Sequence, residues 1–137
     1  VGLFALQLHD AIGGDGRIDL VEGSKSATAD AAVNFAGKEN VKIYTGDVEK
    51  ILLRFSSADV VILDPPRDGA KKNVIASLVA CKPRAIVYVA CDPAALARDS
   101  ALLRDANYTL VKVRAFDLFP MTHHIECVAL FTPTAVS

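Results

Sequence analysis

The sequence is short of cysteine pairs, long apolar runs, any leader segment and net charge of either sign. Cys81, Cys91 and Cys127 are its only cysteines, an odd number without CxxC spacing. That argues against a disulfide framework and against a four-thiolate zinc site, and it points to a reducing, cytoplasmic setting. No apolar run approaches the roughly 18 residues that a membrane span needs, and no charged-then-apolar leader opens the chain, so neither a membrane-bound nor a secreted protein is expected. Lys and Arg total 15 against 16 Asp and Glu, a formal net charge of −1. Such a balance creates no global field for a polyanion, so any nucleic-acid contact has to be local. Repeats and low-complexity stretches are absent. So is an initiator Met: Val1 leads straight into a helical pattern with no cap before it, which reads as a piece of a longer polypeptide.

The 137 residues, 52% of them hydrophobic, suffice for one core and one domain. Runs rich in Val and Ile alternate with segments of helical periodicity, and Gly, Pro or Asp marks nearly every junction. The pattern predicts helices over 2–12, 24–37, 47–55 and 69–80, and one from Pro93 to about 105. Strands are predicted over 17–22, 41–46, 58–64, 84–90, 108–117 and 125–132. This alternation implies an α/β fold with a mostly parallel sheet and helices on both faces. The nearly all-apolar strands 58–64 and 84–90 are expected to be central. The last two are joined by only about seven residues, too few for a crossover helix, and should pair as an antiparallel hairpin. The arrangement resembles the Rossmann-like fold of class I methyltransferases. In that fold a strand precedes the first helix; here the first strand is missing, which leaves open ladder edges near 17–22 and 58–64.

Open α/β sheets bind ligands at the carboxyl ends of their strands. Those ends read Glu22, Asp47 after Gly46, Asp64 with Pro65 and Pro66, Cys91 with Asp92 and Pro93, and Asp117. Glu22 or Asp47 alone reads as a helix N-cap or a solvated turn residue. Together the acids favour a nucleoside-containing cofactor, because they can bond ribose hydroxyls, an exocyclic amine or an ammonium group. Gly2 and Phe4 look like the tail of a glycine-rich loop entering a helix. In DPPR, 64–67, two prolines with fixed φ stiffen the turn that presents Asp64, and Pro65 can lie flat beside a base. Amine-methylating enzymes carry an aromatic residue at the position of Arg67, so the motif favours methylation at carbon. Cys91 precedes the first turn of a helix, where a thiolate is favoured, whereas Cys81 and Cys127 read as buried, inert thiols. Asp92 opposes that thiolate unless it is turned away or paired. DLFPMTHHIE, 117–126, crowds Asp117, Thr122, His124 and Glu126 between two strands. His123 and His124 lack a neighbouring Cys or third His, which argues against a metal. Glu126 opens an apolar strand and suits a general base.

DPPRDG (64–69), YVACDPAALARD (88–99) and DLFPMTHHIE (117–126), in that order and at that spacing, resemble the S-adenosylmethionine-dependent RNA uracil-5-methyltransferases, which act on tRNA or ribosomal RNA. The resemblance covers nearly the whole chain. It implies Cys91 as nucleophile, Glu126 as the base that removes the C5 proton, and Asp64 in the active site and cofactor pocket. Glu22 would hold the ribose hydroxyls and Asp47 would lie near the adenine. Pro65, Arg67, Asp117 and His124 would serve the substrate side. The family commonly has Asn where Asp92 stands, and its first strand and the start of its glycine-rich loop would precede Val1. Its members generally carry upstream domains, often an OB-like RNA-binding module.

Charge fits this division. Residues 1–65 hold 6 basic and 10 acidic residues, whereas 66–114 hold 9 basic and 4 acidic. The half with Cys91 can meet phosphates, with Arg67, Lys71, Lys72 and Arg98 as candidates. Two other readings stand beside this one: a methyltransferase for another nucleic-acid carbon such as cytosine C5, and a catalytically silent RNA-binding fragment.

Overall fold

A computed structural model describes residues 2–13, 15–118, 120–122 and 125–135, and the chain forms two compact units, 1–54 and 55–137. Every predicted element is present. In the first unit they are α1 (Leu3–Ile12), β1 (Ile18–Glu22), α2 (Lys25–Asn34), β2 (Val41–Thr45) and α3 (Val48–Leu52). β1 and β2 run parallel from the Ile18–Val41 pair to Glu22–Thr45. The predicted helix 24–37 is shorter because the chain turns after Asn34, and Gly37, at φ 79°, lies in the left-handed region that breaks a helix. Ser24 caps α2 by accepting from the Ala27 amide, and the Thr45 hydroxyl donates to that of Thr28 at 2.9 Å, tying helix to strand. Ala31, Phe35 and Ile51 are buried here. Gly2 has φ 78°, and a Cβ added to it would stand 2.7 Å from a ring carbon of Phe35, so the position demands glycine for packing reasons as well as backbone ones.

The second unit contains β3 (Val60–Leu63), α4 (Lys71–Ala80), β4 (Ala85–Ala90), α5 (Pro93–Asp105), β5 (Tyr108–Phe116) and β6 (Glu126–Pro133). Its sheet has the order β3-β4-β6-β5, with β3 parallel to β4 and β6 antiparallel to both neighbours. The closing hairpin forms as expected, and its second strand inserts between β4 and β5. Alternate residues Ile86, Tyr88 and Ala90 of β4 and Cys127, Ala129 and Phe131 of β6 are buried with Ile75 of α4 and Leu96 and Leu103 of α5. Burial of these side chains under one helical layer is the principal stabilisation of the unit.

β4 is internal as expected, and β3 is an edge, not the central strand its apolar run suggested but with the open ladder edge expected near 58–64: among the described residues it pairs only with β4, and Val60 is 40% exposed. Its apolar sequence reports burial of the faces of a strand, which does not determine whether both edges are paired. Among the described residues β1 likewise pairs only with β2. Among the described residues no helix is long and apolar enough to cross a membrane, and no group of three or more His, Cys, Asp or Glu is placed to hold a metal ion.

Candidate active site

In the first unit the carboxyl ends of β1 and β2 lie side by side, with the Gly46 amide donating to the Glu22 carbonyl at 3.0 Å. Both strands are followed by glycine. A Cβ at Gly23 would meet nothing nearer than 3.8 Å, and one at Gly46 nothing nearer than 3.5 Å. This leaves a cradle bare of side chains beside the Glu22 carboxylate, whose Oε1 accepts from the Ser24 amide at 2.8 Å. A carboxylate acceptor beside open space suits the two hydroxyls of a ribose diol. Asp47 is different: its Oδ1 accepts from the Glu49 amide at 3.0 Å and the Lys50 amide at 3.5 Å. Asp47 thus caps α3 through that one oxygen. Phe4 is 38% exposed on α1.

In the second unit the sheet register assembles the other candidates. β4 ends at Ala90, which pairs with Cys127, so the next pair in that register sets Cys91 opposite Glu126. Phe116, the last residue of β5, pairs with Glu126 from the other side, and Asp117 follows it. β3 runs parallel to β4 and ends at Leu63, bringing Asp64 to the same end of the sheet. Four strands therefore deliver Asp64, Cys91, Asp117 and Glu126 to one sheet end.

The three thiols are chemically unlike. Cys81 and Cys127 are buried, and burial pushes both thiols up, toward the inert protonated form. Cys91 is half-buried and sits just ahead of α5, which begins at Pro93. Asp92 is paired: its Oδ1 accepts from the Ala95 amide at 2.7 Å and caps the helix. Its charge is thereby committed to the helix N-terminus. Asp64 is exposed at its rim, yet crowding by protein around it raises its carboxyl above the ordinary range.

The loop after Asp64 is anchored by a cluster absent from the candidates named from the sequence. Asp99, fully buried on α5, accepts through Oδ2 from the Tyr88 hydroxyl at 2.6 Å, the Ala70 amide at 2.7 Å and the Lys71 amide at 3.3 Å. Its Oδ1 accepts from Arg98 Nε at 3.0 Å and Nη2 at 2.8 Å, and Nη2 also donates to the Asp68 carbonyl at 2.7 Å. Asp99 is thus a tertiary cap for α4, which has no side-chain cap of its own. Gly69 at φ 78° and Lys71 at φ 66° hold left-handed conformations that this cluster must maintain. The signal in the sequence was an acid on the apolar stripe Leu96, Asp99, Leu103, spaced i, i+3, i+7.

The remaining candidates are distributed as follows. Pro65 is half-buried, and Arg67 and Asp117 are exposed with no hydrogen bond or ion pair among the described residues. His124 and its neighbour His123 lie outside the described residues. Two of the four cations proposed for phosphate are occupied internally: Lys71 pairs with Asp68, and Arg98 holds Asp99. Both partners are close in sequence, Asp68 three residues before Lys71 and Asp99 next to Arg98, and only the contact of Arg98 with the Asp68 carbonyl is made by the fold.

A family profile described as tRNA (Uracil-5-)-methyltransferase matches residues 31–133. The chain is 50% identical over 137 residues to an uncharacterized RNA methyltransferase of Streptomyces avermitilis, covering 98% of this chain and 32% of that one. A similar relative from Caldanaerobacter subterraneus is 45% identical over 116 residues, covering 80% and 26%. The structure is similar to Pyrococcus abyssi tRNA (uracil-54, C5)-methyltransferase in complex with S-adenosyl-L-homocysteine, with a TM-score of 0.80 and 28% identity over 96% of this chain and 32% of that chain. The chain thus spans about a third of the length of these relatives. Its architecture is that of the Rossmann-like methyltransferases, with the antiparallel hairpin at the carboxyl end. Since the profile takes in both motif-bearing strand ends, Cys91 and Glu126, the chain belongs to the tRNA (uracil-5-)-methyltransferase family.

Proposed function

We propose that the protein transfers a methyl group from S-adenosylmethionine to C5 of a uridine in tRNA or ribosomal RNA, and that this chain is its catalytic domain. The observation that carries the reading is the register that sets the half-buried Cys91 opposite Glu126 while the other two thiols are buried. Free cysteines accord with a reducing, cytoplasmic location. Relatives about three times as long accord with RNA-binding domains elsewhere in the polypeptide, upstream of this one.

Uracil C5 is a poor nucleophile. The Cys91 thiolate adds to C6, and the electron pair displaced from the C5–C6 double bond makes C5 an enolate carbon. S-adenosylmethionine, when bound, supplies an electrophilic methyl group. The Glu22 carboxylate would hold its ribose hydroxyls beside the Gly23–Gly46 cradle, and Asp64, at the end of its own strand, would serve the cofactor and the active site. The Glu126 carboxylate then takes the C5 proton, the C5–C6 double bond re-forms, and Cys91 leaves as thiolate. Pro65 would lie beside the target base, which has to leave its stack to reach Cys91. Arg67, Asp117 and His124 would orient the base and the loop around it.

The test follows the product. Incubation of the intact protein with S-adenosylmethionine and unmodified tRNA or ribosomal RNA should yield 5-methyluridine on nucleoside mass spectrometry. Glu126→Gln should instead accumulate RNA joined to Cys91, because addition proceeds and elimination does not. Methylation of cytosine, or of no base, would contradict the reading.

A further inference from the structure

The sheet of the second unit has a helical layer on one face, and the other pleat face carries a pattern that the reaction does not use. Cys127, Ala129 and Phe131 of β6 are buried against α4 and α5, so the intervening Glu126, Val128 and Leu130 belong to the opposite face. The register pairs these three with Phe116, Arg114 and Lys112 of β5. Edge strand β5 therefore lays Phe116, Arg114 and Lys112 in a row, at intervals of about 7 Å. The row begins beside Glu126 and leads away from the sheet end that holds Cys91. All three side chains are exposed, Phe116 by 40%.

The cations of this row are uncommitted. Arg17, Lys50, Lys71, Arg98 and Arg104 each have a carboxylate within ion-pairing distance. Lys112 and Arg114, like Arg67, have no hydrogen bond or ion pair among the described residues, and what sets these two apart is their place in one row on one strand face. Neither β4 nor β5 contains an acid, and Glu126, at the site itself, is the only one on β6. Beside the two cations lie the half-buried apolar side chains of Val128 and Leu130.

The geometry points to this face as a track for single-stranded RNA running to the site, with two phosphates on Lys112 and Arg114 and a base on Phe116. Cations in a row with apolar and aromatic surface alongside are what an unpaired strand requires: phosphates take the charge, and bases stack on the flat surface. The proposal rests on the RNA-methylating reading above.

The test uses the intact protein and an unstructured uridine-containing RNA oligonucleotide, with binding measured between 50 and 200 mM salt. The double variant Lys112→Glu, Arg114→Glu should weaken binding about tenfold or more and lower the slope of log affinity against log salt by about 1.4, at roughly 0.7 for each phosphate no longer neutralised. Lys25→Glu, an exposed cation of the other unit, should leave both unchanged. Thermal unfolding checks that the variants are folded. An unchanged slope and affinity in a folded double variant would overturn the track and leave Lys112 and Arg114 as charges that keep β5 from pairing with other chains. The parent's methyl product, read in parallel, separates the two claims. A reduced slope without 5-methyluridine would sink the catalytic reading alone, and 5-methyluridine with an unchanged slope would sink the track alone.

Discussion

The Tyr88 hydroxyl and the Ala70 amide converge on one oxygen of Asp99, at 2.6 and 2.7 Å, so a single buried carboxylate joins β4, α5 and the loop that follows Asp64, Pro65 and Arg67. The loop's shape therefore depends on a residue that would touch neither RNA nor cofactor. Asp99→Ala leaves the Tyr88 hydroxyl, the Lys71 amide and part of Arg98 without an acceptor, and the Ala70 amide with only the Tyr88 oxygen at 3.2 Å. The expected loss is about 3 kcal/mol or more, since each unsatisfied buried donor costs about 1–3 kcal/mol. Tyr88→Phe removes one donor, leaves the others in place and should cost about 1 kcal/mol. Urea unfolding of both variants checks the ranking; equal losses would contradict it.

The same carboxylate gives stability a pH dependence. Burial alone would raise the Asp99 carboxyl, but donation from Tyr88, Arg98 and the Ala70 and Lys71 amides outweighs it and holds the group below its ordinary 3.8. The folded state therefore binds this proton less readily than the unfolded chain does. The stabilisation it gives is complete above about pH 4 to 5 and is lost as pH falls through the depressed folded value. Unfolding free energy measured at stepped acid pH should decline across this window. The decline should be shallower in Asp99→Asn, and parallel curves would show that Asp99 is not its source.

Gly69 lies in contact with this cluster. At φ 78° its backbone is left-handed, and an added Cβ would collide with the Arg98 guanidinium and stand 2.6 Å from Asp99 Oδ2. Gly69→Ala should therefore cost more than the roughly 1–2 kcal/mol of left-handed strain alone. Gly37 also has a left-handed φ, 79°, but nothing lies within 4 Å of a Cβ built there. Gly37→Ala should show the strain without the collision, and thermal unfolding should rank the two in that order.

Periodicity made the elements legible: Val and Ile runs named the strands, and Pro93 marked the start of α5 where the structure has it, whereas the helix expected to run to Gly37 stops at Asn34. The strand-end rule also found Cys91 and Asp64. What the pattern could not supply was pairing order. That β6 lies between β4 and β5, with Ala90 paired to Cys127 one step short of Cys91 and Glu126, is a property of the sheet that no local signal carries. Lone acids were hard to read for a related reason. Asp47 and Asp99 are each an acid beside an apolar segment, but one caps α3 in solvent and the other is buried under α4, and only tertiary packing distinguishes them.

The cysteines should differ in reactivity toward an alkylating reagent. The folded protein treated briefly with iodoacetamide should be modified at Cys91, which is half-buried, ahead of Cys81 and Cys127, whose thiols are buried and pushed up. In denaturant all three should react alike. Peptide mass spectrometry reads the sites; preferential labelling of Cys81 or Cys127 in the folded state would contradict the assignment.

The central claim is that Cys91 attacks C6 of a uridine and Glu126 removes the C5 proton. The most direct measurement uses the intact protein, S-adenosylmethionine and RNA carrying 5-fluorouridine. Fluorine at C5 does not leave as a proton does, so the reaction should stall with the methylated base still bonded to Cys91. Mass spectrometry should find that adduct on the peptide containing Cys91 and should not find it in Cys91→Ala. An adduct on another residue, or its persistence in Cys91→Ala, would contradict the account.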